Sequence, residues 1–468
     1  MKQILFILLF LSIALGTIIS CKKKKILSNS IYNINTSEDT ILFDTIFTTI
    51  GSTTKYFKCY NPHNGKINIS HITLEKGTDS PYRINVDGES GVNFSNIEIL
   101  SGDSIFIFVE VTIDPNQDDA PFIEEDKIIF NTNSNENQVV LNAFGKNAHF
   151  HINEVVSGIW TKDKPHVIYG LAAVGYPSID SNMSLTIEPG TMIHGHANAT
   201  LYIYKSSLIV NGEVNSPVTF QQDRMEDYLL YPADSVAGQW RGIHFSEPKN
   251  SKITHAEIKN AVIGIQIDTL SDNENVILDK VKINNSLYAN LLTQGANVTA
   301  SNCLFGNSNN YSAFISIGGN VSFEQCTFAN YWYGNRNTPA FVLKDYYESV
   351  NNQVILRPFE SAVFNNCIMH GSKDSEFICD TLGPTFGISG NTSFNYCAVK
   401  SEYALSDINL FNSCYLNLDP EFISTSSWNF DLGPQSNVVD LGGSSSINQD
   451  ILERTRLAPN DLGCYEKQ

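Results

Sequence analysis

The chain has 468 residues, 42% of them hydrophobic, and a formal net charge of −19. That apolar content supports a sizeable core and excludes global disorder, and the length accommodates about two or three domains. So acidic a chain repels phosphate backbones, which argues against nucleic acid as a partner.

The first element is an apolar run from Ile4 to Ile19 behind Lys2, ending in Ser20 and Cys21. Its basic start and short length predict a secretory signal over residues 1–20 rather than a comfortable membrane span. A small residue just before cysteine resembles a bacterial lipoprotein signal, although Ile19 stands where that pattern has a small residue. The resemblance implies that Cys21 is lipidated and becomes the first mature residue, with membrane lipid as a partner and the outer membrane as the location. Ordinary cleavage or an uncleaved anchor, with Cys21 incidental, is the other reading. Lys22 to Lys25 suit anionic headgroups, worth about 1 kcal/mol each. They leave open whether the cell surface or the periplasmic face is occupied.

Residues 21–37 read as the lipidated cysteine and a polar linker. From residue 38 to 147, short alternating strands are separated by turns such as EKGTD, VDGES and SGDS, the mark of an antiparallel sandwich. The candidate strands are TILFDTIFTTI, TTKYFKCYN, KINISHITL, YRINV, SIFIFVEVTI, DKIIFNT and QVVLNAFG. The run DTIFTTIGSTTKYFKCYNPHNGKINISHITL, closing with VVLNAFGKN, resembles the immunoglobulin-like domains that precede β-helices in Bacteroidetes-type surface lipoproteins. That likeness implies a spacer or docking module. Cys59 has no partner cysteine within it and reads as a buried thiol.

Residues 155–468 repeat. NVTASNCLFGNS, NVSFEQCTFANY, SAVFNNCIMHGS and TSFNYCAVKSE align on one element, which places Cys303, Cys326, Cys367 and Cys397 at equivalent positions. Each unit buries its apolar face on its neighbours, and Asn before the cysteine suits a left-handed corner. The pattern, with IEPGTMI as an opening coil and NFDLGPQSNVVDLG…DLGCYE as a closing tail, resembles a right-handed, single-stranded parallel β-helix of the pectate-lyase-like kind. The expected fold class is therefore all-β, an immunoglobulin-like sandwich followed by that β-helix with a C-terminal cap. The four cysteines read as a structural ladder of free thiols, because side-by-side Cβ vectors make a disulfide torsion awkward. Cys379–Cys414 and Cys414–Cys464 are the bridges left to check.

Motifs for chemistry are sparse. A polygalacturonase-type hydrolase needs carboxylates gathered on one face, yet the only adjacent aspartates, Asp118–Asp119, fall in the sandwich. GHAN at 195–198 lacks a final glycine, and the arginines after residue 155 sit in no lyase signature. No catalytic residue, cofactor or metal is expected, and the chain leans away from being an enzyme. His194 and His196 read as outer-face residues beside Tyr202 and Tyr204, with no third ligand for a metal. GQWRGIHF places Trp240 and Arg241 at a coil start; the two could bind something, and packing is the preferred role. The gap between Cys326 and Cys367 predicts a protruding loop, and repeat insertions often form the binding face. Its Tyr331, Trp332, Tyr333, Arg336, Lys344, Tyr346 and Tyr347 are the candidate ligand-binding residues; packing over the flank is the competing role. QQDRMEDYLLYPADSVAG at 221–238 is a second insertion. The reading is a membrane-anchored envelope module binding polysaccharide or an envelope protein. The alternatives are a polysaccharide lyase or glycoside hydrolase, and a structural spacer or adhesin.

Overall fold

The computed structural model describes residues 25–49, 51–115, 122–178, 181–225, 232–268, 274–380, 391–407 and 409–468. The signal segment, Cys21 and Asp118–Asp119 lie outside the described residues. Contacts divide the chain into two compact units, Met1–Asn147 and Ala148–Gln468.

In the first unit, strands β1 (Asn35–Thr36), β2 (Thr40–Phe47), β3 (Lys55–Tyr60), β4 (Ile67–Leu74) and β5 (Tyr82–Val86) are followed by β6 (Glu89–Gly91), β7 (Asn93–Ile99), β8 (Ser104–Val111), β9 (Phe122–Thr132) and β10 (Asn135–Lys146). They form two five-stranded sheets, ordered β1-β3-β8-β5-β6 and β2-β10-β9-β4-β7. Alternate residues of both sheets, among them Phe57, Ile107, Val109, Ile69, Phe130 and Leu141, share one buried core. Pairing is antiparallel except for β2 against β10, which is parallel. β1 lies within the stretch read as linker, and β7 was not foreseen. Asn96 at φ 58° interrupts its alternation, so Phe94, Ile97 and Ile99 do not keep a two-residue period. Cys59 is buried in this core, and burial pushes its thiol up to about 12.

The first strand of the second unit begins at His149, and the unit holds a 26-stranded parallel sheet, the arrangement of a parallel β-helix. Strands recur on three faces. The first carries Met192–Gly195, Val218–Gln222, Ala256–Lys259, Lys282–Asn284, Leu304–Phe305, Thr327–Asn330 and Ile368–Gly371. The second carries Thr200–Tyr204, Gly242–Ser246, Ile263–Asp268, the starts of Ala289–Ser301 and Tyr311–Glu324, Phe341–Lys344 and Phe377–Asp380. The third carries Ser251–Thr254, Val276–Asp279, the ends of those two long strands, Phe359–Asn365 and Thr392–Asn395. Inward Leu201, Phe245, Ile267, Leu291, Ile315 and Leu343 exemplify the core that each coil buries on the next.

Between the third and first faces the chain turns on one residue. Lys280, Asn302, Gln325, Asn366, Tyr396 and Ser413 all take positive φ there. The next residues, Cys303, Cys326, Cys367 and Cys397, stack inside the coil and are fully buried. Cys414 extends the ladder, which accounts for its position without a bridge. The eight described cysteines are free thiols. Each ladder thiol donates to backbone carbonyls, Cys326 to Ala300 and Glu324 for example, and burial raises the Cys303 and Cys326 thiols well above the ordinary range. Since thiolate is the reactive form, a thiol-reactive disulfide reagent should leave these positions unmodified in the native protein and label them in urea. Rapid native labelling of Cys326 would contradict this.

The tail returns along the first face. Phe430, Leu432, Val438, Ile451, Leu462, Cys464 and Tyr465 pack on outward Leu304, Ala329, Ile368 and Ala398. Arg454 grips Asp431 with both terminal nitrogens at 2.9 Å, and Arg456 reaches Asn302 and Glu466. The closing segment is thus a cover for late coils whose outer positions are apolar.

Candidate ligand-binding face

The second face has two outward rows set by register. Tyr202, His244, Gln266, Leu292, Phe314, Val342 and Ile378 occupy one, rung above rung. Tyr204, Ser246, Asp268, Gln294, Ser316, Lys344 and Asp380 occupy the other. Strands pair about 4.8 Å apart, so Tyr202 and Val342 lie roughly 24 Å apart along the axis.

At the polar end, a cleft of about 570 Å³ is lined by Tyr176, Asn198, Tyr202, Arg241, His244 and Gln266, among others. That volume suits a small ligand or part of a chain. Tyr176 meets Tyr202 edge-on with centroids 6.5 Å apart, and Tyr202 meets His244 at 5.2 Å. His244 Nε2 lies 2.7 Å from Asp268 Oδ2, which also accepts from Gln266 at 2.8 Å. The carboxylate therefore fixes the orientation of the imidazole. Arg241 is exposed at the rim. Next to Arg241 in the chain, Trp240 is 1% exposed and lies on Gly195 of the first face, where a Cβ would come within 2.7 Å of the indole.

The sequence-derived candidates do not form one site. The long insertion contains a regular strand, Phe341–Lys344, and a hairpin pairing Tyr346–Glu348 with Val354–Leu356. Tyr331, Trp332, Tyr333 and Arg336 lie before that strand, and Lys344, Tyr346 and Tyr347 lie on or after it. Tyr331 packs on Phe422 and Phe430 and shares a hydrogen bond between its hydroxyl and His370 Nδ1 at 2.6 Å. Trp332 and Tyr333 lean together at 4.6 Å, with Tyr333 exposed. Arg336 is buried and committed to Glu376, so it pins the insertion instead of facing solvent. Lys344 sits 4.0 Å over the Tyr346 ring, and the Tyr346 hydroxyl donates to Asp380. These residues close the far end of the second face, and Tyr347 is half-buried in the hairpin.

His194 and His196 require a correction. His194 belongs to the first face, not to the face of Tyr202 and Tyr204, and it is buried, its Nδ1 donating to the Gln222 carbonyl. His196 stacks on Tyr169 at 4.1 Å and pairs with Asp223. The corner at Asn198, with φ 66°, separates them from Tyr202. A second histidine group opens the coil: His151 Nε2 lies 2.9 Å from His166 Nδ1, His166 Nε2 donates to the Thr161 carbonyl, and both rings stack on Trp160. Among the described residues no group of His, Cys, Asp and Glu is placed to hold a metal. No described helix is long and apolar enough to cross a membrane.

No protein-family model and no curated protein matches the chain. Among solved structures, it is similar to XylC in complex with xylose, at 10% identity over 90% of this chain and 87% of that one, with a TM-score of 0.35. It is also similar to the catalytic unit of a thermostable GH87 α-1,3-glucanase from Streptomyces thermodiastaticus, at 8% identity, 74% and 72% coverage and a TM-score of 0.25. For a family 123 glycoside hydrolase from Clostridium perfringens the values are 10%, 24% and 26%, and 0.18. The chain spans about a quarter of the length of that hydrolase.

Proposed function

We propose that this protein is an exported, lipid-anchored envelope module whose β-helix binds a polysaccharide chain along the second face. In this reading Cys21 carries the lipid, the outer membrane is the location, the sandwich is an immunoglobulin-like spacer, and the β-helix is right-handed, as parallel crossovers nearly always are.

The observation that carries the binding role is the cleft where Tyr202, Tyr176, His244, Gln266 and Arg241 converge. Tyrosine rings supply apolar faces for sugar rings, and the polar groups supply directional hydrogen bonds. The rows continue far enough to seat several sugar units. The two carboxylates in the outer rows, Asp268 and Asp380, are four rungs apart, roughly 19 Å, beyond the roughly 5–9.5 Å of a glycosidase pair. Among the described residues of these rows, that spacing favours binding over hydrolysis.

A second reading, a polysaccharide lyase, is favoured by one feature, the His244 imidazole oriented by Asp268 near an exposed Arg241. A general base held by a carboxylate is what proton abstraction uses. Retention on polysaccharide affinity gels separates the two. Tyr202→Ala and Arg241→Ala should each weaken retention about tenfold, in line with central binding residues, with no unsaturated or reducing ends released. Release of unsaturated ends, abolished by His244→Ala, would replace binding with catalysis, and unchanged retention in both variants would remove the cleft.

A further inference from the structure

An antiparallel sheet with one wet face alternates apolar-in and polar-out. The β1-β3-β8-β5-β6 sheet breaks that rule on its outer side. Phe57, Cys59, Ile105, Ile107 and Val109 point into the core, yet the intervening outward positions carry Tyr56, Phe106 and Phe108. Their relative exposures are 59%, 41% and 39%. Register sets Tyr56 opposite Phe108 and Lys58 opposite Phe106. The rings touch, with Tyr56 at 5.6 Å from Phe106 and 5.9 Å from Phe108, and Phe106 at 6.1 Å from Phe108. The Lys58 ammonium lies 4.7 Å over the Phe106 ring, and exposed Tyr60 follows on the same strand. A contiguous outward aromatic patch marks an interaction surface.

The route of the chain selects the partner. Lys25, where the described chain begins, accepts at its carbonyl from the Lys66 amide. Neighbouring Gly65 accepts from the Asn61 side chain at 2.8 Å, and Asn61 follows Tyr60. The chain therefore enters at the end of the sandwich where β3 finishes at Tyr60, alongside Lys66, which leads into β4 of the facing sheet. Residues 21–24 span at most about 14 Å when extended. Whether an apolar run or a lipid on Cys21 holds the membrane, the bilayer surface lies within that reach of Lys25. Tyrosine and phenylalanine beside lysine are the side chains that settle at the headgroup boundary.

We infer that the outer face of this sheet, through Tyr56, Lys58, Phe106 and Phe108, docks against a glycerophospholipid surface, so that the sandwich lies on the membrane. The inference rests on the membrane-anchored reading above, and the test separates the two.

The full chain is reconstituted in vesicles of phosphatidylethanolamine and phosphatidylglycerol and footprinted with hydroxyl radicals. Tyr56, Phe106 and Phe108 should be protected several-fold relative to exposed Tyr333 and Tyr403 on the β-helix. In parallel, the chain from Lys22 onward, which retains every described element, should sediment weakly with the same vesicles. Phe106→Ser/Phe108→Ser should lower that partitioning about a hundredfold, the scale of two lost ring insertions. If the full chain is anchored while the three residues react as freely as Tyr403, docking is overturned and anchoring stands. If the full chain does not partition at all, both fall. Protection that appears without vesicles and rises with protein concentration would assign the face to a second copy and overturn the lipid assignment.

Discussion

Replacing Arg336 with methionine should destabilise the later coils by about 3–5 kcal/mol, the cost of leaving one partner of a buried ion pair alone. The side chains of Arg336 and Glu376 are 2% and 0% exposed. Arg336 Nη1 donates to Glu376 Oε2 at 2.7 Å and to the Thr338 carbonyl, while Nη2 donates to Glu376 Oε1 and the Asn330 carbonyl. Glu376 also accepts from the Ala340 amide at 2.8 Å and the Lys373 amide at 2.7 Å. The carboxylate thus ties the turn before Phe341–Lys344 to the next coil. Glu376→Ala should cost at least as much, because two backbone amides lose their acceptor together with the guanidinium. Coils contact only their neighbours, so protection of the Phe341–Lys344 and Phe377–Asp380 amides from hydrogen exchange should fall before that of Leu201 or Ile243. An unchanged urea midpoint and exchange pattern in Arg336→Met would show that this pair holds nothing.

The same pair explains what could be read from the sequence. Repetition made the coil legible: Cys303, Cys326, Cys367 and Cys397 each come just past the end of a third-face strand, at Ser301, Glu324, Asn365 and Asn395, so each buried rung repeats in the letters. Where the period is interrupted, the fold is hidden. Phe341–Lys344 is an ordinary strand, but a turn before it and a hairpin after it made the whole stretch look like a loop. Arg336 looked like a loop cation because its partner is 40 residues away. The cleft was illegible for a similar reason. Tyr202 and His244 are neighbours by register, but the 221–238 insertion separates them and obscures the coil period. Alternation assigned His194 to an outer position, and burial there depends on packing that alternation does not encode.

Acid should weaken the fold between about pH 6.5 and 4 through His166 and His370. His370 is 7% exposed, and its Nδ1 is hydrogen-bonded to the Tyr331 hydroxyl; burial and the nearby Lys400 charge hold it down to about 4 from an ordinary 6.5. His166, 4% exposed, is lowered to about 4 chiefly by burial. Both groups are therefore neutral in the folded chain where the unfolded chain already binds protons. Their contribution is fully present above pH 6.5 and is lost as pH falls through that window, on the order of 3 kcal/mol each. Burial raises the Asp461 and Glu466 carboxyls, so the folded chain holds protons there that the unfolded chain releases. That term has the opposite slope nearer the carboxylate range, so a comparison of variants is needed to isolate the histidines. Urea midpoints followed from pH 7 to pH 4 should fall steeply for the parent chain and less steeply for His370→Gln, whatever stability that variant has at pH 7. Equal slopes for the two would mean that His370 binds its proton as readily in the folded chain as in the unfolded one, and that burial beside Lys400 does not keep it neutral.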